Sequence, residues 1–335
     1  MNHINEYKTY FINMYDIGDI DSNIWMSNYL VDRLELNKDQ ILWFVFLNSI
    51  TYHLPTAYLI LNEYPDLELV DEERLRSWWD LVQKKCPFQK DKLKQRKYLP
   101  DTILSYQKLL NGSHQHEYFD KILNSDSPED NFNLLWNELY KNINHFGRFS
   151  VWNWAQMLKQ VVGYNIEPDT LFLGESNSES HTHGICLALG KHEWAKKERY
   201  TDSNGARKKK VHKFNSEEKS YLENESEKIL KQLNEVVSTD RFEMETVACA
   251  FKKLFREKDS RYLGYYLDRQ AEDISSIENN GFDGVDWSIL WQAREEMIDN
   301  EFLNKSVDKS KFSLKLSEKI VKYDHNISDS VFDDF

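Results

Sequence analysis

The run from Ile41 to Ile50, ILWFVFLNSI, constrains the fold most strongly because it is apolar on almost every side. Asn37 stands where a helix cap is expected, and Gln40 follows three residues later, which is the spacing of a capping box. A helix that is apolar all round must be covered by other elements on every face. The sequence therefore predicts a buried central helix inside a domain built from many helices.

Signals elsewhere in the chain also favour helices. Ser127 and Pro128 precede acidic residues at an expected helix start, and Asp240 with Glu243 forms a second pair with capping-box spacing. The chain has only 6 prolines, with none after Pro168. It shows neither sustained period-two alternation nor a long internal repeat. We therefore expect an all-α, multi-helix globular fold.

The size and cysteine usage indicate a globular protein of a reducing compartment. A chain of 335 residues with 40% hydrophobic residues can bury a large core. Cys86, Cys186 and Cys249 are isolated from one another, so we expect no disulfides. No stretch approaches the roughly 18 apolar residues of a membrane span, and the first residues do not show the pattern of a secretory leader. We expect a soluble, cytoplasmic protein without membrane contact.

Charge is distributed unevenly along the chain. The formal net charge of −13 argues against nonspecific nucleic-acid binding by the chain as a whole. Residues 196–213, in contrast, contain eight Lys or Arg against Glu198 and Asp202, without apolar periodicity. We expect an exposed, mobile basic loop that neutralises backbone phosphates. Its expected contact residues are Arg207, Lys208, Lys209 and Lys210.

This basic loop, placed at residues 196–215, divides the chain into segments. Residues 1–195 are expected to form a helical core with an anion site. Residues 216–305 would supply helices that complete the same catalytic domain, and residues 306–335 form a charged tail.

The stretch 146–191 concentrates polar and aromatic side chains around two expected helix starts, the first capped by Ser150. Arg148 beside the N–H groups of a helix start suits a phosphate, and Ser178 and Ser180 would add donors. In the more ordinary alternative, Arg148 pairs with a carboxylate, the serines cap helices and the tryptophans lie in the core.

Two further stretches are candidates for binding. The expected helix 261–277 carries four side chains at three- and four-residue spacing, which share one face and would line a cleft or form a charged surface. They are Tyr265, Asp268, Arg269 and Glu272. Arg96 and Lys97 lie in a second basic loop, which would contact phosphates or remain solvated.

No motif for nucleotide or metal chemistry is present. The chain lacks GxxxxGK, GxGxxG after a strand, GxSxG and HExxH. His181 and His183 stand two residues apart and do not share a helix face, and no matching ligand cluster is visible elsewhere. We expect neither a metal nor a cofactor.

Several motifs carry a family resemblance. They are GRFSVWNWAQML, EPDTLFLGES and SHTHGICLALGK, with WFVFLNSITYHLPTAYLILNEYPDL upstream and GYYLDRQAEDI downstream. Together they resemble the amino acid:DNA transferases of bacteriophages, relatives of the alpha-glutamyl/putrescinyl thymine pyrophosphorylases. The resemblance runs from about Trp25 to Arg294.

The resemblance implies a helical enzyme, akin to the helical DNA glycosylases, that acts in thymine hypermodification inside an infected bacterial host. A separate kinase would phosphorylate 5-hydroxymethyluracil in double-stranded DNA, and the transferase would displace that phosphoryl group with a free amino acid. Such an enzyme needs an anion site, a base for the nucleophile, an aromatic slot for an extruded base and a cationic track.

The resemblance also assigns roles to the candidate residues. The leaving phosphate would be held by Arg148, Ser178, Ser180 and either His181 or His183. Asp268 or Glu272 would orient or deprotonate the incoming amine, and Arg269 would hold its carboxylate. The side chains expected to stack on the base are Tyr52, Trp152 and Tyr265, and those expected on the DNA backbone are Arg96, Lys97 and residues 207–210.

Two alternatives to a transferase stay open from the sequence. One is a glycosylase-like DNA base-binding protein without transfer activity. The other is a helical protein-interaction module that works through its acidic surface.

Overall fold

The computed structural model describes residues 2–175, 178–203, 205–254 and 261–297. Within these ranges the chain forms fifteen α-helices and one two-stranded sheet, which confirms the all-α, multi-helix fold. The chain divides into two compact units. Among the described residues, the first combines 2–21 with 169–266, and the second combines 22–168 with 267–297. Residues 298–305 and the charged tail expected at 306–335 lie outside the described residues.

The second unit is helical throughout its described part, with short 3₁₀ turns between several helices. Its helices are α2 (Ser22–Arg33), α3 (Lys38–Thr51), α4 (Leu54–Glu63), α5 (Glu72–Val82), α6 (Leu99–Leu110), α7 (Gln115–Ile122), α8 (Pro128–Asn137), α9 (Arg148–Met157), α14 (Tyr265–Glu278, from Leu267 onward) and α15 (Ser288–Met297).

Helix α3 is the buried central helix that the sequence predicts. Its start carries the full capping box between Asn37 and Gln40, and every residue from Leu42 to Thr51 is buried. The helix packs against α4, α7 and α9. Burial of each large apolar side chain contributes about 1.5–3 kcal/mol, so this helix anchors the second unit.

Helix α9 begins earlier than expected. Gly147, in extended conformation, occupies the N-cap position, and Arg148 is the first helical residue. Ser150 was the expected cap, but its hydroxyl instead accepts a hydrogen bond from the buried amine of Lys92. The helix ends in a π-helical turn over Leu158–Val162. The early start places Arg148 in the first turn of the helix.

The first unit contains five helices and the sheet within its described residues. They are α1 (Ile4–Asp16), α10 (Glu179–Ala188), α11 (His192–Ala195), β1 (Lys197–Thr201), β2 (Arg207–Val211), α12 (Ser216–Leu233) and α13 (Arg241–Phe251). Helix α1 packs on α13, where the Tyr7 hydroxyl donates to the Met244 carbonyl at 3.2 Å. Helices α10 and α13 form the closest helix pair of this unit.

The basic segment expected as a loop at 196–215 contains an antiparallel hairpin in its central part. Lys197 pairs with Val211, and Thr201 pairs with Arg207. The turn is closed by the Asp202 carboxylate, which accepts from the Ala206 N–H at 2.9 Å. Both strands are mostly charged and lack side-chain alternation, so their pairing rests on the backbone ladder, which a hydrophobic pattern does not reveal.

No described helix is both long and apolar enough to cross a lipid bilayer.

Candidate functional site

The first turn of α9 presents Arg148. Its guanidinium lies 5.0 Å from the centroid of the Trp136 ring, and its side chain is half-buried. No side chain caps this helix start, because glycine occupies the N-cap position. A guanidinium over an aromatic face beside the positive end of a helix dipole is suited to an anion.

Lys92 lies beneath the same turn of α9 and is fully buried. Its amine donates to the Ser49 carbonyl and to the Ser150 hydroxyl, the latter at 2.9 Å. Burial lowers the pKa of Lys92 well below its ordinary value. Lys92 was not among the predicted site residues, because it stands in a run of lysines that all look exposed.

An aromatic pair covers the Lys92 amine. The Phe149 ring centroid lies 4.8 Å from Nζ and the Tyr52 centroid 5.8 Å, and the two rings meet edge to face at 6.0 Å. Tyr52 ends α3 at φ +43°, a left-handed conformation that is strained for a bulky residue. Phe149 is 44% exposed. Phe149, which follows Arg148 in the sequence, provides the accessible part of this aromatic surface.

His53 follows Tyr52 and is buried at the start of α4. Its Nδ1 accepts from the Thr56 N–H at 3.2 Å, so a neutral ring carries its proton on Nε2. That Nε2 lies 3.6 Å from the Asp273 carboxylate, to which Arg269 donates at 3.0 Å. Burial lowers the pKa of His53, and the charge of Asp273 opposes part of this effect. Neither His53 nor Asp273 was among the predicted site residues.

The other predicted positions on α14 differ in exposure. Asp268 is buried, with Oδ1 3.5 Å from Nη2 of the buried Arg294. Glu272 is exposed. Tyr265, in the first unit, has its ring face covered by the Arg261 guanidinium at 3.8 Å. The shared helical face thus contains side chains in three different environments.

Trp152 lies in an aromatic cluster of the second unit. Its ring centroid is 5.9 Å from that of Phe132 and 6.3 Å from that of Trp136, and the side chain is buried. This environment favours support of the Trp136 ring under Arg148 over direct stacking on a base.

In the first unit, the loop from Leu171 to Glu175 is held by three side chains. The Glu223 carboxylate accepts from the Leu171 and Leu173 N–H groups at 3.0 and 2.6 Å. The Thr182 hydroxyl accepts from the Gly174 N–H, and Nε2 of His181 donates to the Leu171 carbonyl at 2.8 Å. These bonds fix the loop immediately before α10.

The pKa values of the two predicted histidines on α10 are shifted in opposite directions. Burial opposes protonation of His181, but the Glu245 carboxylate at 2.8 Å outweighs it and raises the pKa of His181 to about 10. Burial, reinforced by the charges of Lys252 and Lys197, lowers the pKa of His183 to about 3. Ser178 is buried before the first turn of α10, and Ser180 is partly exposed.

The hairpin lysines are partly engaged with acidic side chains. Lys197 and Lys209 both contact Glu179, the latter at 2.6 Å. Burial alone would raise the pKa of Glu179, yet these two ammonium groups hold it at about 2. Lys208 lies 3.7 Å from Asp202 and is largely exposed, as is Lys210. The side chain of Arg207 lies outside the part that the structure describes.

Arg96 and Lys97 line a cavity of about 370 Å³ in the second unit. Lys97 Nζ lies 4.3 Å from the centroid of the Tyr98 ring, and the Arg96 carbonyl accepts from the Trp79 indole at 2.8 Å. The remaining lining residues are Gln83, Leu93, Lys94 and Tyr98. The cavity is therefore cationic, as the sequence predicts for this loop.

Comparison with known proteins identifies the family. The family model described as amino acid:DNA transferase matches residues 4–259, which is most of the chain. The chain belongs to the amino acid:DNA transferase family. The transferase is also similar to a serinyltransferase of Salmonella phage ViI, with 27% identity over 284 residues that cover 82% of this chain and 67% of the relative.

Membership of this family confirms the resemblance seen in the motifs and makes the protein an enzyme that transfers an amino acid onto DNA. Its partners are accordingly DNA and an amino acid. In the second unit of this transferase, Arg148, Tyr52, Phe149 and Lys92 surround the start of α9. In the first unit, His181 and His183 lie on α10 beside the anchored loop.

Proposed function

We propose that this transferase displaces the phosphoryl group of phosphorylated 5-hydroxymethyluracil in DNA with a free amino acid. The bond between the exocyclic methylene carbon and the phosphate oxygen breaks, and the phosphate leaves with the electron pair. A new bond forms from the amino acid nitrogen or oxygen to the same carbon. The proton of the nucleophile passes to a basic group of the enzyme.

The observation that carries this proposal is Arg148 in the first turn of α9. Negative charge builds up on the phosphate as its bond to carbon breaks, and a guanidinium with a two-pronged donor geometry stabilises that charge. Trp136 holds the guanidinium from one face, which limits the orientations that Arg148 adopts. Ser178, Ser180 and His181 or His183 stay predicted phosphate ligands from the sequence; they belong to the first unit, whereas Arg148 belongs to the second.

Tyr52 and Phe149 fit the stacking site for the extruded base. An enzyme that acts on a base within a duplex must turn it out of the stack and hold it against flat apolar surfaces. Phe149 is exposed, and the strained backbone at Tyr52 keeps its ring against Phe149 and the Lys92 amine. In this proposal Trp152 supports Trp136, and Tyr265 remains a further stacking candidate.

The amino acid is proposed to bind along α14. Arg269 is 42% exposed at its side chain, so it is able to bind the carboxylate of the amino acid. Asp268 or Glu272 would orient or deprotonate the nucleophile. Asp273 of the same helix, with His53 at the start of α4, forms a second candidate acid–base pair. The exposed Glu272 is more accessible than the buried Asp268.

DNA would be held by the basic hairpin residues 207–210 and by Arg96 with Lys97. The phosphorylated base would come from another enzyme. A separate hydroxymethyluracil DNA kinase would supply the phosphorylated base, in the cytoplasm of an infected bacterial host. The name of the phage ViI relative makes serine the first amino acid to test.

The experiment is incubation of the full chain with kinase-treated hydroxymethyluracil DNA, without ATP, followed by nucleoside mass spectrometry. Separate reactions contain serine, a pool of the other amino acids, or none. We expect a nucleoside heavier than that of hydroxymethyluracil by the mass of one amino acid residue, together with release of phosphate. Unphosphorylated DNA should give no product. No mass change with any amino acid would overturn the proposal. Tight retention on the same DNA without product would support the glycosylase-like binding alternative.

A further inference from the structure

Three side chains with different ligand atoms converge between α10 and α13. His181 Nδ1 lies 2.8 Å from Glu245 Oε1, and Cys249 Sγ lies 3.3 Å from that oxygen. The nitrogen, oxygen and sulfur atoms all lie within 4.8 Å of one another. We propose that His181, Glu245 and Cys249 form a binding site for one zinc-class divalent metal ion.

The two helices hold these ligand atoms in fixed positions. Glu245 and Cys249 are four residues apart on α13 and therefore project from the same face. His181 comes from α10, where Gly184 lies so close to the Ala248 carbonyl that no side chain fits between them. Because the backbones touch beside the cluster, the separation of His181 from the two α13 ligands is set by the helix crossing.

The second nitrogen of His181 is oriented as in metal-binding histidines. Its Nε2 donates to the Leu171 carbonyl at 2.8 Å, which leaves Nδ1 directed at Glu245 and Cys249. A ligating histidine almost always donates its other N–H to a carbonyl or carboxylate in this way. A bound ion would replace the protons of Nδ1 and of the thiol, and both protons would pass to solvent.

The set of ligand atoms selects the class of metal. A thiolate together with an imidazole favours zinc or cobalt over magnesium or calcium, which prefer oxygen ligands throughout. Three protein ligands leave one position of a tetrahedral ion open to water or another ligand. Glu245 and Cys249 are each partly exposed, so an ion can reach the cluster from solvent.

The site would connect α10, α13 and the loop before α10. Through His181 the ion would be linked to the Leu171 carbonyl and thus to the loop that Glu223 and Thr182 also hold. With the ion bound, His181 is a metal ligand and not a phosphate ligand. His183 and Cys186, the nearer neighbours of His181 in sequence, are not part of the cluster.

The test is titration of chelator-treated full chain with Co²⁺, read by absorbance. Thiolate ligation gives a near-ultraviolet charge-transfer band, which ligation by oxygen and nitrogen alone does not. We expect this band to saturate at one equivalent and to be displaced by Zn²⁺. Cys249→Ser should remove the band and weaken Zn²⁺ binding by more than the 10- to 100-fold typical of losing an outer-shell partner. Cys186→Ser, which removes a buried thiol of α10 outside the cluster, should retain both.

Two results would overturn the site. One is the absence of a charge-transfer band in the wild-type chain, which decides the matter even if a variant fails to fold. The other is a band of equal size in Cys249→Ser and wild type, which would place the metal on another cysteine. Far-ultraviolet circular dichroism of each variant without metal separates loss of the ligand from loss of the fold.

Discussion

Gly184 of α10 lies against the backbone carbonyl of Ala248 in α13, and a Cβ atom at position 184 would stand 1.9 Å from that oxygen. No real side chain tolerates such an approach, so the first unit depends on glycine here. The crossing also sets the positions of His181, Glu245 and Cys249, which lie within a turn of the contact.

Gly184→Ala should lower the free energy of unfolding by about 3 kcal/mol or more, because the helices must separate to admit the methyl group. Urea unfolding measures the change. Gly147→Ala is the matched control, since a Cβ there meets nothing within 4 Å, and it should change stability by less than about 1 kcal/mol. Equal effects of the two substitutions would contradict the close helix contact.

Arg148→Ala should reduce the rate of amino acid transfer by roughly 10²- to 10³-fold, because the departing phosphate loses its charged donor. Single-turnover transfer on phosphorylated DNA measures the rate. Arg148→Lys, which keeps the charge but not the fork, should recover only part of it. Arg33→Ala removes an exposed arginine at the end of α2 and should transfer normally. Normal transfer by Arg148→Ala would remove this residue from the site.

Phe149→Ala should weaken binding of DNA that carries the modified base by about 1–3 kcal/mol, because a stacking surface is removed. Its stability should change little, since 44% of the side chain is exposed. The comparison is with Trp25→Ala, which removes an aromatic side chain of 42% exposure from the same unit. Fluorescence anisotropy with labelled DNA gives both affinities, and equal decreases would argue against stacking at Phe149.

Lys208→Ala combined with Lys210→Ala should reduce the dependence of DNA affinity on salt. Each lysine that no longer neutralises a phosphate lowers the slope of log affinity against log salt by roughly 0.9. Lys209 is kept because it binds Glu179 and supports the hairpin. Lys228→Ala with Lys231→Ala, which removes the same charge from α12, should leave the slope unchanged. An identical slope in the hairpin variant and in wild type would show that the hairpin does not bind DNA phosphates.

Lys92 should make stability rise with pH. Its pKa in the folded chain lies below the ordinary value near 10.4 because the amine is buried, so between the two values the unfolded chain binds more protons. The free energy of unfolding then increases with pH, by at most about 1.4 kcal/mol per unit. Urea unfolding from about pH 7 to about pH 9 should show this slope in wild type and in the exposed-site control Lys94→Met, but a shallower one in Lys92→Met. Parallel curves for all three proteins would show that Lys92 keeps its ordinary pKa.

The parts of the fold that depend on local chemistry were predictable from the sequence. The caps at Asn37, Ser127 and Asp240 act within a few residues of each helix start, and all three side chains accept the expected backbone hydrogen bonds. The apolar pattern on all sides of α3 is also contained within one short stretch of sequence, and it identified the core. The hairpin was missed because a backbone ladder between charged strands leaves no trace in hydrophobic periodicity.

The groups that long-range packing brings together were not predictable. Lys92 reaches Ser49 and Ser150 from a loop whose other lysines are exposed, and nothing in its neighbours marks it as buried. His181 meets Glu245 and Cys249 only through the crossing of α10 and α13. Arg148 was identified from its residue type and its position near a helix start, although the start itself was placed three residues too late.

The first unit is built from both sides of a long intervening segment of chain. The His3 N–H donates to the Ala188 carbonyl at 2.8 Å, and the Tyr7 hydroxyl reaches Met244, while residues 22–168 belong to the other unit. During synthesis α1 is therefore made long before α10 and α13, and its apolar face is covered only after both have followed. Late non-local closure of this kind slows folding and leaves apolar surface exposed to aggregation in the meantime. A nascent chain that stalls before α13 would carry α1 without the α13 surface on which it packs.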